Sequence, residues 1–101
     1  MGEKYEKLVR DKVVEILKEK GIPYEERTAT PEEKSEVAFR KLTEEVAEFL
    51  EAKNLEELAD VDQALDLKKS LPEFKGWEEM KAKKLAEKGG FEKMTILKGE
   101  K

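Results

Sequence analysis

Two helix-start signals constrain the middle of this chain more than anything else in it. In Thr30-Pro31-Glu32-Glu33, Thr serves as N-cap, Pro takes the first helical position, and the Glu at the third can reach back to the cap. Asn54-Leu55-Glu56-Glu57 repeats the device, with Asn54 as the cap and Glu57 at the third position. The stretch between them has Ala38, Phe39, Leu42, Val46, Phe49 and Leu50 at helical spacing, which predicts a helix over 31–53. Leu55, Leu58, Val61 and Leu65 predict the next over 55–69. A turn this short makes the two helices antiparallel neighbours, a hairpin.

The flanks extend an all-α pattern. Val9, Val13, Ile16 and Leu17 recur at helical spacing ahead of Gly21 and Pro23, predicting a first helix over 6–20. Residues 24–29 lack such a stripe and read as an extended connection. A fourth helix is expected from Trp77 to the Lys88-Gly89-Gly90 stop, followed by a short tail whose Phe91, Met94, Ile96 and Leu97 are expected to pack back on the bundle. At 101 residues, with no linker or repeat, the chain is expected to be a single four-helix domain spanning 1–101.

Composition excludes several chemistries. With no Cys and no His there are no disulfides, thiol nucleophiles or imidazole bases, and any metal must be held by oxygen. Oxygen donors favour Mg²⁺, Mn²⁺ or Ca²⁺. The net charge of -4 is spread over 21 basic and 25 acidic residues without a basic block, so no nucleic-acid partner is expected. No run suits a membrane span or a signal-peptide core, which makes a cytoplasmic protein the expectation. Charged residues are 46% of the chain and apolar ones 38%, a thin core that association into an oligomer would relieve. One Asn and one Gln beside abundant Glu and Lys is a balance enriched in proteins from hot environments.

The acids of the hairpin are not distributed evenly. At about 100° per residue from Leu42, Glu45 falls near about -60°, Glu48 about -120° and Glu44 about -160°, one shared flank. Glu57 and Asp60 share a flank of the next helix, while Glu51 points away from the stripe. If the hairpin joins these flanks, five carboxylates converge and raise one another's pKa unless cations sit among them. Spacing alone leaves two readings open, a divalent-metal site and a solvated acidic surface, and Glu57 has a third role available in its capping box. Asp62 lies inside the apolar arc with Asp66 one turn on, so a subunit contact, a ligand or an exposed helix must account for it. Lys7, Arg10 and Lys12 surround Leu8 and Val9 at the expected start of the first helix, a setting that suits a phosphate or a salt-bridged surface.

Four blocks in order, KLVRDK, LTEEVAEFLEA, EELADV and KGGFEK, resemble the small MazG-like, phosphoribosyl-ATP pyrophosphohydrolase-like nucleotide pyrophosphohydrolases over nearly the whole chain. The resemblance implies an all-α enzyme, dimeric or tetrameric, that uses Mg²⁺ (or Mn²⁺) to split a nucleoside triphosphate or related phosphoribosyl nucleotide into monophosphate and pyrophosphate. By position, Glu44, Glu45, Glu48, Glu57 and Asp60 become the metal ligands, with Glu45 or Glu48 the base that takes a proton from the attacking water. Lys7, Arg10, Lys12, Lys84 and Lys88 become candidates for phosphate contacts. The competing expectation is a catalytically inactive module of the same shape that binds a nucleotide or a protein.

Overall fold

The computed structural model describes residues 6–100; the ends of the expected 1–101 domain, residues 1–5 and 101, lie outside the described residues. The chain is all-helical, with no strand among the described residues. Helix α1 is Val13–Glu19, α2 is Lys34–Ala52, α3 is Leu55–Lys69 and α4 is Trp77–Lys88. Two single 3₁₀ turns, Pro31–Glu33 and Pro72–Phe74, lead into α2 and follow α3.

The hairpin of α2 and α3 is the organising unit. Asn54 caps α3 as expected, its Oδ1 accepting from the Glu57 N–H at 2.9 Å, and Lys53 turns the chain in the left-handed region at φ 52°. Ala38 from α2, Ala64 from α3 and Leu71 beyond it are the buried apolar residues. Small side chains at the contact let the two backbones approach closely. Leu42, Val46, Phe49 and Val61 are half-buried around them, as their spacing predicts.

The rest of the stripe is open. Leu50 is 62% exposed and Leu55 84%, and Phe39 and Leu58 are also exposed. Asp62 and Asp66 share this open surface, so the expected cost of burying Asp62 does not arise: α3 is simply more exposed than its pattern predicts. The Cα radius of gyration, 18.2 Å, exceeds the roughly 13 Å of a tightly packed chain of this length. Helix α4 buries no residue, and the tail does not pack on the bundle as expected: Phe91 is 95% and Ile96 94% exposed.

The first helix is the main correction. Residues 6–10 are not helical, 11–12 form a turn, and α1 starts only at Val13, not at 6. The reason is electrostatic and long-range. Lys7 Nζ lies 3.7 Å from Glu44 Oε1, and Arg10 Nη2 donates to Asp60 Oδ1, so this segment is drawn along the hairpin. No capping side chain opposes that: Lys12, at the N-cap, makes no side-chain hydrogen bond there.

A second fastening was invisible in the pattern. Arg27 donates to Glu33 from both terminal nitrogens, at 3.0 and 2.9 Å, and to Glu6 from Nη2 at 2.8 Å, tying the 22–30 connection to the start of α2. Glu33 also accepts from the Thr30 N–H at 3.1 Å and its hydroxyl at 3.0 Å, completing the predicted capping box. Hydrogen bonds from Arg27 and then from Thr30 lower the Glu33 pKa from 4.5 to about 2. A lowered folded-state pKa makes stability that is present above pH 4.5 and is lost as pH falls toward 2. Denaturant titrations should therefore show Glu33→Gln with a flatter stability profile than the parent across that window.

Candidate metal centre

Halfway along the hairpin, α2 supplies Glu44, Glu45 and Glu48 while α3 supplies Glu57 and Asp60. One carboxylate oxygen from each of Glu45, Glu57 and Asp60 lies within 4.8 Å of the other two. Oxygens on opposite sides of one hard cation stand roughly 4 Å apart for Mg²⁺ and roughly 5 Å for Ca²⁺, so the three are close enough to converge on one ion with small side-chain rotations. Glu45 is 5% exposed, the most buried acid described. Its Oε2 and that of Glu57 are buried without a hydrogen-bond partner.

Orphaned buried carboxylate oxygens are costly, since each keeps the desolvation penalty with no bond to offset it. Two of them, on two residues of one three-carboxylate group, fit a divalent cation better than they fit a solvated surface. The donor set, oxygen only, fits Mg²⁺, Mn²⁺ or Ca²⁺. The capping box that Glu57 was expected to serve is replaced by a simpler cap: the Asn54 side chain holds the Glu57 N–H, and the Glu57 carboxylate turns to the cluster.

The remaining expected residues take different places. Glu44 stands beside the three, 3.5 Å from Lys41 Nζ and 3.7 Å from Lys7 Nζ. Glu48 is exposed at the rim; the charge on Glu45, then loss of solvent, then the charges of Glu57 and Glu44 and a hydrogen bond with the Glu45 carboxylate raise its pKa above 4.5. Arg10 reaches Asp60, and Lys7 reaches Glu44, so two of the three N-terminal cations adjoin the carboxylates. Lys12 is exposed at the start of α1. Lys84 and Lys88 lie on exposed α4, outside this group.

Lys41 is a participant that the helical pattern does not announce. Its ammonium lies 2.8 Å from Glu45 Oε1. Partial burial pulls its pKa down, and the bond to Glu45 with the charges of Glu44 and Glu45 outweighs that and leaves it raised. The signal was available as an i,i+4 pair at the stripe's edge.

Glu48 gives the cluster a pH signature. A raised folded-state pKa means that stability present below pH 4.5 is lost as pH rises through the raised value. In Glu48→Gln this loss should disappear, so melting temperatures measured from pH 4.5 to 8 should decline less steeply than the parent's.

No helix among the described residues is long and apolar enough to cross a membrane. Comparison with known families, with curated proteins and with solved structures finds no match to this chain.

Proposed function

We propose that this protein is a divalent-metal-dependent nucleotide pyrophosphohydrolase of the MazG-like kind, cleaving a nucleoside triphosphate or related nucleotide to monophosphate and pyrophosphate. The observation that carries the proposal is the convergence of Glu45, Glu57 and Asp60 with two orphaned, buried oxygens among them. The order of the four sequence blocks adds the reaction class.

In this reading Glu45, Glu57 and Asp60 hold the cation, and Glu44 completes its surroundings. Mg²⁺ or Mn²⁺ supplies charge neutralisation on the phosphate oxygens and the pyrophosphate leaving group. Glu48, exposed at the rim with a raised pKa, is placed to take the proton of the attacking water. Arg10 and Lys7 provide positive charge for phosphate, with Lys12 farther along the same segment and Lys84 and Lys88 as further candidates on α4.

Association into a homodimer or homotetramer belongs to the same proposal. The open faces bearing Leu50, Leu55 and Leu58 are apolar surface that a second copy would cover. Sedimentation equilibrium tests it, and a monomer at micromolar concentration would count against it.

The deciding experiment measures pyrophosphate release from a panel of nucleoside triphosphates with and without Mg²⁺. Metal-dependent release from at least one supports the enzyme. Binding of nucleotide with no release from any would favour the inactive module instead.

A further inference from the structure

The clustered carboxylates meet two kinds of internal cation. Lys41 belongs to α2 itself, one turn before Glu45, with a side chain only 17% exposed. It holds Glu45 Oε1 at 2.8 Å, while Oε2 of the same carboxylate is buried without a hydrogen-bond partner. The helix fixes that spacing, so Lys41 is a permanent partner. Arg10 is different in every respect. It comes from the non-helical segment fifty residues earlier, its side chain is 54% exposed, and it spends an Nη2 hydrogen bond on Asp60 Oδ1. Lys7, on the same segment, stands at 3.7 Å from Glu44.

We propose that Arg10 is a displaceable counter-ion: a divalent cation entering among Glu45, Glu57 and Asp60 takes Asp60 from Arg10, and the released guanidinium, with Lys7, becomes the phosphate-binding wall of the same site. The proposal rests on the metal reading of the cluster and adds how its two halves communicate.

Three features carry it. Glu45, more than nine-tenths buried, keeps one oxygen unpartnered and contributes an oxygen within 4.8 Å of those of Glu57 and Asp60, so the cluster is incompletely neutralised by its own lysine and arginine. A guanidinium bonded to Asp60 and a divalent ion on the same carboxylate repel each other at contact distance, and the exposed partner on the non-helical segment is the one free to leave. The planar fork of Arg suits carboxylate and phosphate alike, so the donors given up by Asp60 need no rebuilding to accept an anion. Phosphate groups between the cation and Arg10 are drawn to both. Metal and phosphate therefore strengthen each other's binding through one side chain, and the coupling is reciprocal.

The test uses the full chain, Mn²⁺ as the metal probe and inorganic pyrophosphate as the anion probe, both followed by isothermal titration calorimetry in the parent, Arg10→Gln and Arg10→Lys. Arg10→Gln should bind Mn²⁺ about three- to fivefold tighter, because its competitor is gone. The same variant should lose most of the gain in pyrophosphate affinity that Mn²⁺ confers on the parent. Arg10→Lys should fall between the two proteins on both counts. General damage would weaken both ligands together, so opposite changes in one variant cannot come from misfolding. Unchanged or weaker Mn²⁺ binding in Arg10→Gln overturns the exchange and leaves the metal site standing. No Mn²⁺ binding by the parent overturns both.

Discussion

Glu45→Gln is expected to cut metal-dependent pyrophosphate release by about a hundredfold or more while raising the melting temperature measured without added divalent ion. The two effects have one origin. Glu45 is 5% exposed, and its Oε2, like that of Glu57 in the same group, is buried without a hydrogen-bond partner. A glutamine keeps a carbonyl to accept from Lys41, 2.8 Å away, and places an NH₂ where the unpaired oxygen stood, able to donate to Glu57. One orphaned buried oxygen is gone, and one buried negative charge is removed from a crowded acidic group. About 1 kcal/mol of such relief corresponds to roughly 4–8 °C in a domain of this size. The same substitution takes an anionic ligand from the proposed cation, so the thermal shift produced by Mg²⁺ in the parent should vanish. Glu44→Gln, outside the three, should do much less to either quantity. Melting curves with and without Mg²⁺, run beside the release assay, check all four statements, and a Glu45→Gln protein that keeps its rate would remove Glu45 from the site.

The parts of this molecule that could be read from the sequence are those fixed by local chemistry. Thr30-Pro31 and Asn54 announce helix starts through bonds made within three residues, and α3 and α4 occupy the ranges their spacing predicts. Helix geometry put Glu44, Glu45, Glu48, Glu57 and Asp60 on flanks that a hairpin could join, and three of the five, Glu45, Glu57 and Asp60, do come together; which three was not legible from the spacing. What was not legible depends on partners far along the chain. Val9, Val13, Ile16 and Leu17 have helical spacing, yet residues 6–10 are held outside a helix by acids on α2 and α3. Periodicity reports which face a helix would bury, and it carries no information on which charge will compete for the backbone's course. Arg27 escaped notice for the same reason. The open stripe of α3 and the exposed tail show a further limit, since an apolar pattern states that a face needs covering without stating what covers it.

Lys68→Ala is expected to destabilise the chain by about 2–3 kcal/mol, lowering the melting temperature by roughly 10–20 °C. Lys68 is 5% exposed, and it sits where the α3 stripe of Leu58, Val61 and Leu65 would place its next apolar residue. Its ammonium lies 3.0 Å from the centroid of the Phe39 ring and 5.0 Å from that of Phe74, and the two rings meet edge to face at 6.3 Å. It also donates to the Ser35 carbonyl at 3.2 Å and the Ser35 hydroxyl at 3.1 Å, with Glu73 at 3.8 Å. One side chain thus joins the first turn of α2, the end of α3 and the 3₁₀ turn beyond it. This is the open end of the hairpin, where no connecting loop holds the helices together. Alanine deletes the buried stem, the aromatic contact and both hydrogen bonds, offset in part because folding no longer has to desolvate an ammonium. Lys68→Met separates these contributions, because its thioether fills the stem's space and packs on the rings without a charge. It should recover about half of the loss on the same estimates, measured by urea unfolding of all three proteins. If Met is as damaging as Ala, the ammonium's bonds to Ser35 and its seat on Phe39 hold the hairpin end; if Met is neutral, the charge there contributes nothing and packing alone closes it.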